Sequence, residues 1–116
     1  MKETENKYTP ATENQILAVI KDPGQPPRVE PLLENTLEAL QETVGGRIKK
    51  VTICTDLVLI CNADAVASGL PFNAKILGRD FCGTVICVGA KEDEFVSLKA
   101  REVPMLLACM IGKEKT

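Results

Sequence analysis

Histidine is absent from all 116 residues, and none of the five cysteines (Cys54, Cys61, Cys82, Cys87, Cys109) forms a C-x-x-C pair. Without histidine the chain lacks the usual general base, the commonest metal ligand and the usual partner of a catalytic Ser or Cys. Aromatics are scarce as well: Tyr8, Phe72, Phe81 and Phe95 are all there are, so Ile, Val, Leu and Ala must build the core. There is no excess of positive charge. A net charge of −2, a pI near 5.2, no basic stripe and no run of stacking aromatics exclude autonomous nucleic-acid binding. No apolar run is long enough to span a bilayer, and Met1–Asn14 is too polar for a secretory signal. No G-x-x-x-x-G-K-[ST] phosphate loop occurs.

The remaining composition, 45% apolar and 26% charged, is that of a folded domain of ordinary core size. We expect a flexible N-terminal tail over residues 1–14, then one α+β domain over 15–116. The cysteines are odd in number and sit inside apolar runs, where a thiol packs as a small hydrophobe. That usage implies a reducing, cytoplasmic setting. No metal and no cofactor is expected.

Ile16–Ile20 reads as a first strand. Asp22-Pro23-Gly24 signals a turn, and Arg28–Leu33 a second strand, confined to an edge or made irregular by Pro31. Asn35 with Glu38 makes a capping box for a helix over Thr36–Val44, with Leu37, Leu40 and Val44 on one face and Gly45-Gly46 as the stop. Arg47–Cys54 and Leu57–Cys61 form a hairpin around Thr55-Asp56. A plain two-residue loop sets Ile53 opposite Val58 and Val51 opposite Ile60. Leu57, Leu59 and Cys61 make the second face apolar too, so the hairpin needs cover on both sides.

Asn62–Asp80 reads as a long connection, Phe81–Gly89 as a strand with a bulge or a close backbone approach at Gly83, and Phe95-Val96 as a short last strand. Ser97 caps a helix over Leu98–Met110, with a kink or late start at Pro104. The fold class is α+β: a small, curved, mostly antiparallel sheet with two short helices, a barrel-like closure being one way to cover both faces. The other way is a second subunit, and a homodimer is expected, with Met105, Leu106 or Met110 at the contact.

Candidate chemistry is sparse. Cys54 with Cys61, or Cys82 with Cys87, fits neither a zinc knuckle nor a thioredoxin pair. Positions 82 and 87 differ by an odd number, which puts them on opposite faces of a regular strand. Asp56, Asp64 and Asp80 are possible acid–base partners, but all fall at turns, where Asp binds its own backbone. The loop Gly69–Asp80 carries the strongest functional pattern: Phe72 as an apolar anchor, Asn73, Lys75 and Arg79 as polar contacts, and Gly83 in the adjoining strand. Two cations and an amide suit a small anionic or nucleotide-like ligand. The competing reading has Asn73 holding the loop by backbone hydrogen bonds while Lys75 and Arg79 are solvated.

The segments DPGQPPRVE, NTLEALQETVGGRIKKV, DLVLICN, GLPFNAKI, DFCGTVICVGA and EFVSL, in that order, resemble a family of small bacterial, plasmid and phage domains known as the domain of unknown function numbered 3846. The resemblance spans about Ile16 to Met110. It implies fold kinship, a mobile-element context and, in the loop, an Asn followed by a basic residue, here Asn73 and Lys75. The expected function is a non-enzymatic accessory protein that binds a protein partner or small ligand, an anti-defence role included. The alternative is a hydrolase or transferase using carboxylates or a lone thiol.

Overall fold

The computed structural model describes residues 15–92 and 94–110. The expected flexible tail over 1–14 lies outside the described residues. Among the described residues eight strands and two α-helices follow in the order β1 (Gln15–Lys21), β2 (Arg28–Glu34), α1 (Leu37–Val44), β3 (Ile48–Cys54), β4 (Leu57–Asn62), β5 (Phe72–Ile76), β6 (Arg79–Cys82), β7 (Val85–Lys91), β8 (Glu94–Val96), a 3-10 turn (Ala100–Glu102) and α2 (Val103–Cys109). This is an α+β domain built on antiparallel pairing.

The main sheet runs β2-β1-β7-β4-β3, with β8 also on β7. It is open, so the barrel-like closure does not occur. Strand β7 pairs with β1 through Val85–Cys87 and with β8 through Gly89–Lys91, so β8 takes over where β1 leaves. The junction is held by the Leu17 amide, which donates to Ser97 Oγ at 2.9 Å, and the Leu98 amide, which donates to the Leu17 carbonyl at 2.9 Å. Ser97 therefore ties strands together and caps no helix. β2 is an edge strand, and its register on β1 slips between Ile16↔Leu33 and Ala18↔Glu30, beside Pro31. A proline that cannot donate is tolerated at such an irregular edge.

Alternation sends the central strands' side chains to two separate cores. One contains Ile16, Ala18, Ile20, Val58, Ile60, Ile86 and Val88, covered by Leu40 and Val44 of α1. The other contains Val19, Val51, Leu57, Leu59, Cys61, Val85 and Cys87. It is covered by Ala74, Ile76 and Phe81 of the β5–β6 hairpin, by Leu106 of α2 and by Met110 just after it. All six residues of β4 are buried. The chain thus supplies the cover for both faces itself, removing the argument that a second subunit must. Leu106 and Met110, expected at a dimer contact, are buried at 2% and 0% exposure, and only Met105 faces out.

Three local expectations are corrected. The helix cap is Thr36, whose Oγ1 accepts from the Ala39 amide at 3.1 Å. Asn35 instead donates from Nδ2 to the Phe95 carbonyl at 3.1 Å, pinning β8. Leu37 is 58% exposed, because α1 touches the sheet only through the Leu40/Val44 side. The Thr55-Asp56 loop is present, but the register slips between Thr52 and Cys54. Val51 therefore faces Leu59 and Thr52 faces Val58. The extra residue at Ile53 is a bulge that shifts every pair beyond it by one.

The last helix starts late, with Pro104 in its first turn as the sequence indicated. The long connection is shorter than expected, since residues 72–82 fold as the β5–β6 hairpin. The strand expected over Phe81–Gly89 divides at Gly83: Phe81 and Cys82 end β6, and β7 begins at Val85. Cys82 and Cys87 lie in different strands, so the argument from odd spacing does not apply to them. Gly83 has φ of 77°, and a Cβ there would lie 2.8 Å from Leu70 Cδ1. The left-handed backbone favours glycine there, and a larger residue would also have to push the Leu70 side chain aside.

Candidate functional site

The β5–β6 hairpin lies over the second core and makes one wall of a cleft of about 520 Å³. The opposite wall is Lys49 and Val51 of β3 with Cys61 and Asn62 of β4. Residues 63–67 close one end, and Arg79, Asp80, Phe81 and Cys82 complete the hairpin side. This volume lies in the range of small-ligand sites.

Two clips fix those walls. Asn73 is 4% exposed and sits between three elements. Its Nδ2 donates to the carbonyls of Lys21 at 2.8 Å and Gly83 at 2.7 Å, and its Oδ1 accepts from Lys21 Nζ at 2.9 Å. The amide locks the hairpin to the end of β1. Beside it, Asp22 accepts from Thr84 Oγ1 at 2.7 Å and from Arg28 Nη1 at 2.6 Å. Partial burial pushes the Asp22 carboxyl up, but those two hydrogen bonds with the Arg28 and Lys21 charges bring it below its ordinary value. The second clip is Asn62, whose Oδ1 accepts from the Asp64 amide at 2.7 Å and whose Nδ2 donates to the Val44 carbonyl at 3.2 Å. It shapes the turn after β4 and caps the end of α1.

Four charged side chains line the cleft, and the two acids are already engaged. Asp64 accepts two hydrogen bonds from Arg47, at 2.7 and 3.1 Å. These bonds and the Arg47 charge hold its carboxyl below the ordinary value. Asp80 pairs with Lys75 at 2.9 Å. Lys49 and Arg79 form no ion pair among the described residues. The thiol of Cys61 is raised above its ordinary value by burial, against the opposing Lys49 charge, and its Sγ lies 3.8 Å from the Lys49 carbonyl. Cys87, beneath in the core, is pushed up to about 12 by burial and then by the Glu102 charge. A thiol raised in this way stays protonated near neutrality and is a poor nucleophile. Among the described residues no three Cys, Asp or Glu side chains gather as a metal site.

The residues singled out from sequence divide into three groups. Asn73 and Gly83 meet in the hairpin clip. Lys75 pairs with Asp80, itself a cleft residue, without lining the cleft, and Phe72, paired in register with Cys82, is 46% exposed. Of these five loop and strand residues Arg79 lines the cleft, together with Asp64, Asp80, Cys61 and Cys82, which were weighed above for other chemistry. Its counterpart there, Lys49, was not singled out. The signal for it was parity, since Lys49 shares the face of Val51 two residues on, and that face becomes legible only once the bulge at Ile53 is known.

Among the described residues no helix is long and apolar enough to cross a membrane. Comparison with curated proteins and with solved structures finds no match. The sequence model of a domain of unknown function (DUF3846) matches residues 16–108. On that match, which covers most of its length, the chain belongs to the DUF3846 family.

Proposed function

We propose that this protein is a non-enzymatic binding protein whose site is the cleft between β3–β4 and β6, and that it takes an anionic ligand at Lys49 and Arg79. One observation carries the reading. Every acid lining the cleft is engaged by its own cation, Asp64 by Arg47 and Asp80 by Lys75, whereas the two lining cations have no such partner among the described residues. Uncommitted cations beside apolar floor residues such as Val51 and Phe81 favour a ligand that brings negative charge. The alternative, a hydrolase or transferase using carboxylates or a lone thiol, has less support. Its carboxylates are bound to cations, and burial raises the Cys61 thiol. The family resemblance motivates the wider setting: an accessory protein of a bacterial or phage mobile element, with anti-defence action as one role. Cysteine usage motivates a cytoplasmic location. For a homodimer, exposed Met105 on α2 is the support that is left.

The test is a titration of the labelled protein with inorganic phosphate, ATP and polyglutamate, followed by NMR and thermal shift. At least one of these should move resonances of Lys49 and Arg79 and raise the melting temperature without turnover. A Lys49→Glu/Arg79→Glu variant should lose the effect while keeping its fold. If none of the three perturbs the wild-type cleft, the reading fails.

A further inference from the structure

The cleft shares a wall with an open strand edge. β3 ends the main sheet, and among the described residues no strand pairs with its outer side. The phase of its ladder follows from one bond, the Ala63 amide donating to the Arg47 carbonyl at 2.7 Å. With Lys49 opposite Cys61 and Val51 opposite Leu59, hydrogen-bonded pairs alternate along the strand. Lys49 and Val51 therefore turn their backbone groups toward β4, and Ile48, Lys50 and Thr52 turn theirs outward. The side chains of Lys49 and Val51 meanwhile line the cleft. A strand laid along β3 would find outward backbone donors and acceptors, and every second side chain of it would enter the cleft mouth.

Charge narrows the occupant. β3 reads IKKVTIC, with two lysines and no acid, and Arg79 faces it across the cleft. A basic segment would be repelled there, while an acidic one would find two cations that form no ion pair among the described residues. The opposite edge of the sheet offers no equivalent, since β2 carries Pro31 and an irregular register. We propose that β3 and the cleft together receive an extended acidic segment of a partner protein, which adds a strand to the sheet and sets its carboxylates at Lys49 and Arg79. This rests on the cleft reading above and names the class of ligand.

The probe is an acetylated, amidated octapeptide alternating valine and glutamate, with binding followed by fluorescence anisotropy and by amide hydrogen exchange. Free protein should exchange the Ile48, Lys50 and Thr52 amides rapidly, and the complex should slow them by roughly tenfold or more. Lys49→Glu/Arg79→Glu should weaken binding by about tenfold or more. Of two peptides N-methylated at alternate residues, one should bind and the other should not. Equal binding by both, or β3 amides unchanged in the complex, overturns strand addition. Protection of those amides before peptide is added also overturns it, because the edge would then be occupied by a second copy or by this chain itself. If phosphate or ATP perturbs Lys49 and Arg79 while the peptide does not bind, this inference falls and the anion cleft stands. If nothing binds, both fall.

Discussion

At the scale of single residues, Asn73 does the most to assemble the site without lining it. Its amide uses both donors and its acceptor on Lys21 and Gly83. Asn73→Ala removes three hydrogen bonds from a buried position and leaves the Gly83 carbonyl short of a donor. By the usual cost of orphaning buried polar groups, the loss should be about 2–4 kcal/mol in urea unfolding. A loss below about 0.5 kcal/mol, the range of neutral surface changes, would mean that the hairpin is held by its apolar contacts alone. The sequence allowed this role for Asn73, because Asn commonly binds backbone in loops, but it gave no hint of the buried Lys21 on the far side. A lysine following three apolar residues in AVIK reads as the solvated end of a strand. The structure buries it at 2% exposure.

At the scale of elements, what was legible followed strong local rules. Short β-rich apolar runs located β1, β3 and β4, Pro31 marked the irregular edge, and Pro104 marked the late start of α2. What escaped was short or shifted. β5 and β6 have five and four residues, below the length at which period-two patterning stands out. Their turn is Leu77-Gly78, with φ of 50° and 83°, and leucine is not the residue that a turn with two positive φ values usually advertises. Asn35 and Thr36 are both good caps, so the start of α1 was ambiguous by one residue, and its face was misread at Leu37. That distinction is measurable. Leu40→Ala should cost about 2–5 kcal/mol, as buried leucines do, whereas Leu37→Ala should fall within about 0.5 kcal/mol of wild type. Equal costs for the two would show that α1 is rotated from the orientation described.

At the scale of the whole molecule, two cores share one sheet, and exposed ion pairs join segments far apart in sequence. Arg47–Asp64 and Lys99–Asp56 are such pairs, and Arg28–Asp22 closes the β1–β2 turn. Lys99, then Cys54, lower the Asp56 carboxyl. The Asp22, Asp56 and Asp64 carboxyls all lie below their ordinary 3.8 in the folded chain. Their contribution to stability is therefore complete above that pH and disappears as the pH falls through the lower folded values. The melting temperature should be level from neutrality to about pH 5 and decline below about pH 4. Asp64→Asn should blunt the decline, and a level profile down to pH 2 would show that the three pairs contribute nothing. The strand order has a consequence in time as well. β7 joins the β1–β2 half to the β3–β4 half, yet it is made after both. During synthesis two apolar hairpins must wait, unjoined, while residues 63–84 are added. Such non-local closure is slow and leaves sticky surface open. The nascent chain is thus a natural client for chaperones, and a message cut short before β7 would yield fragments that aggregate instead of half-domains that fold.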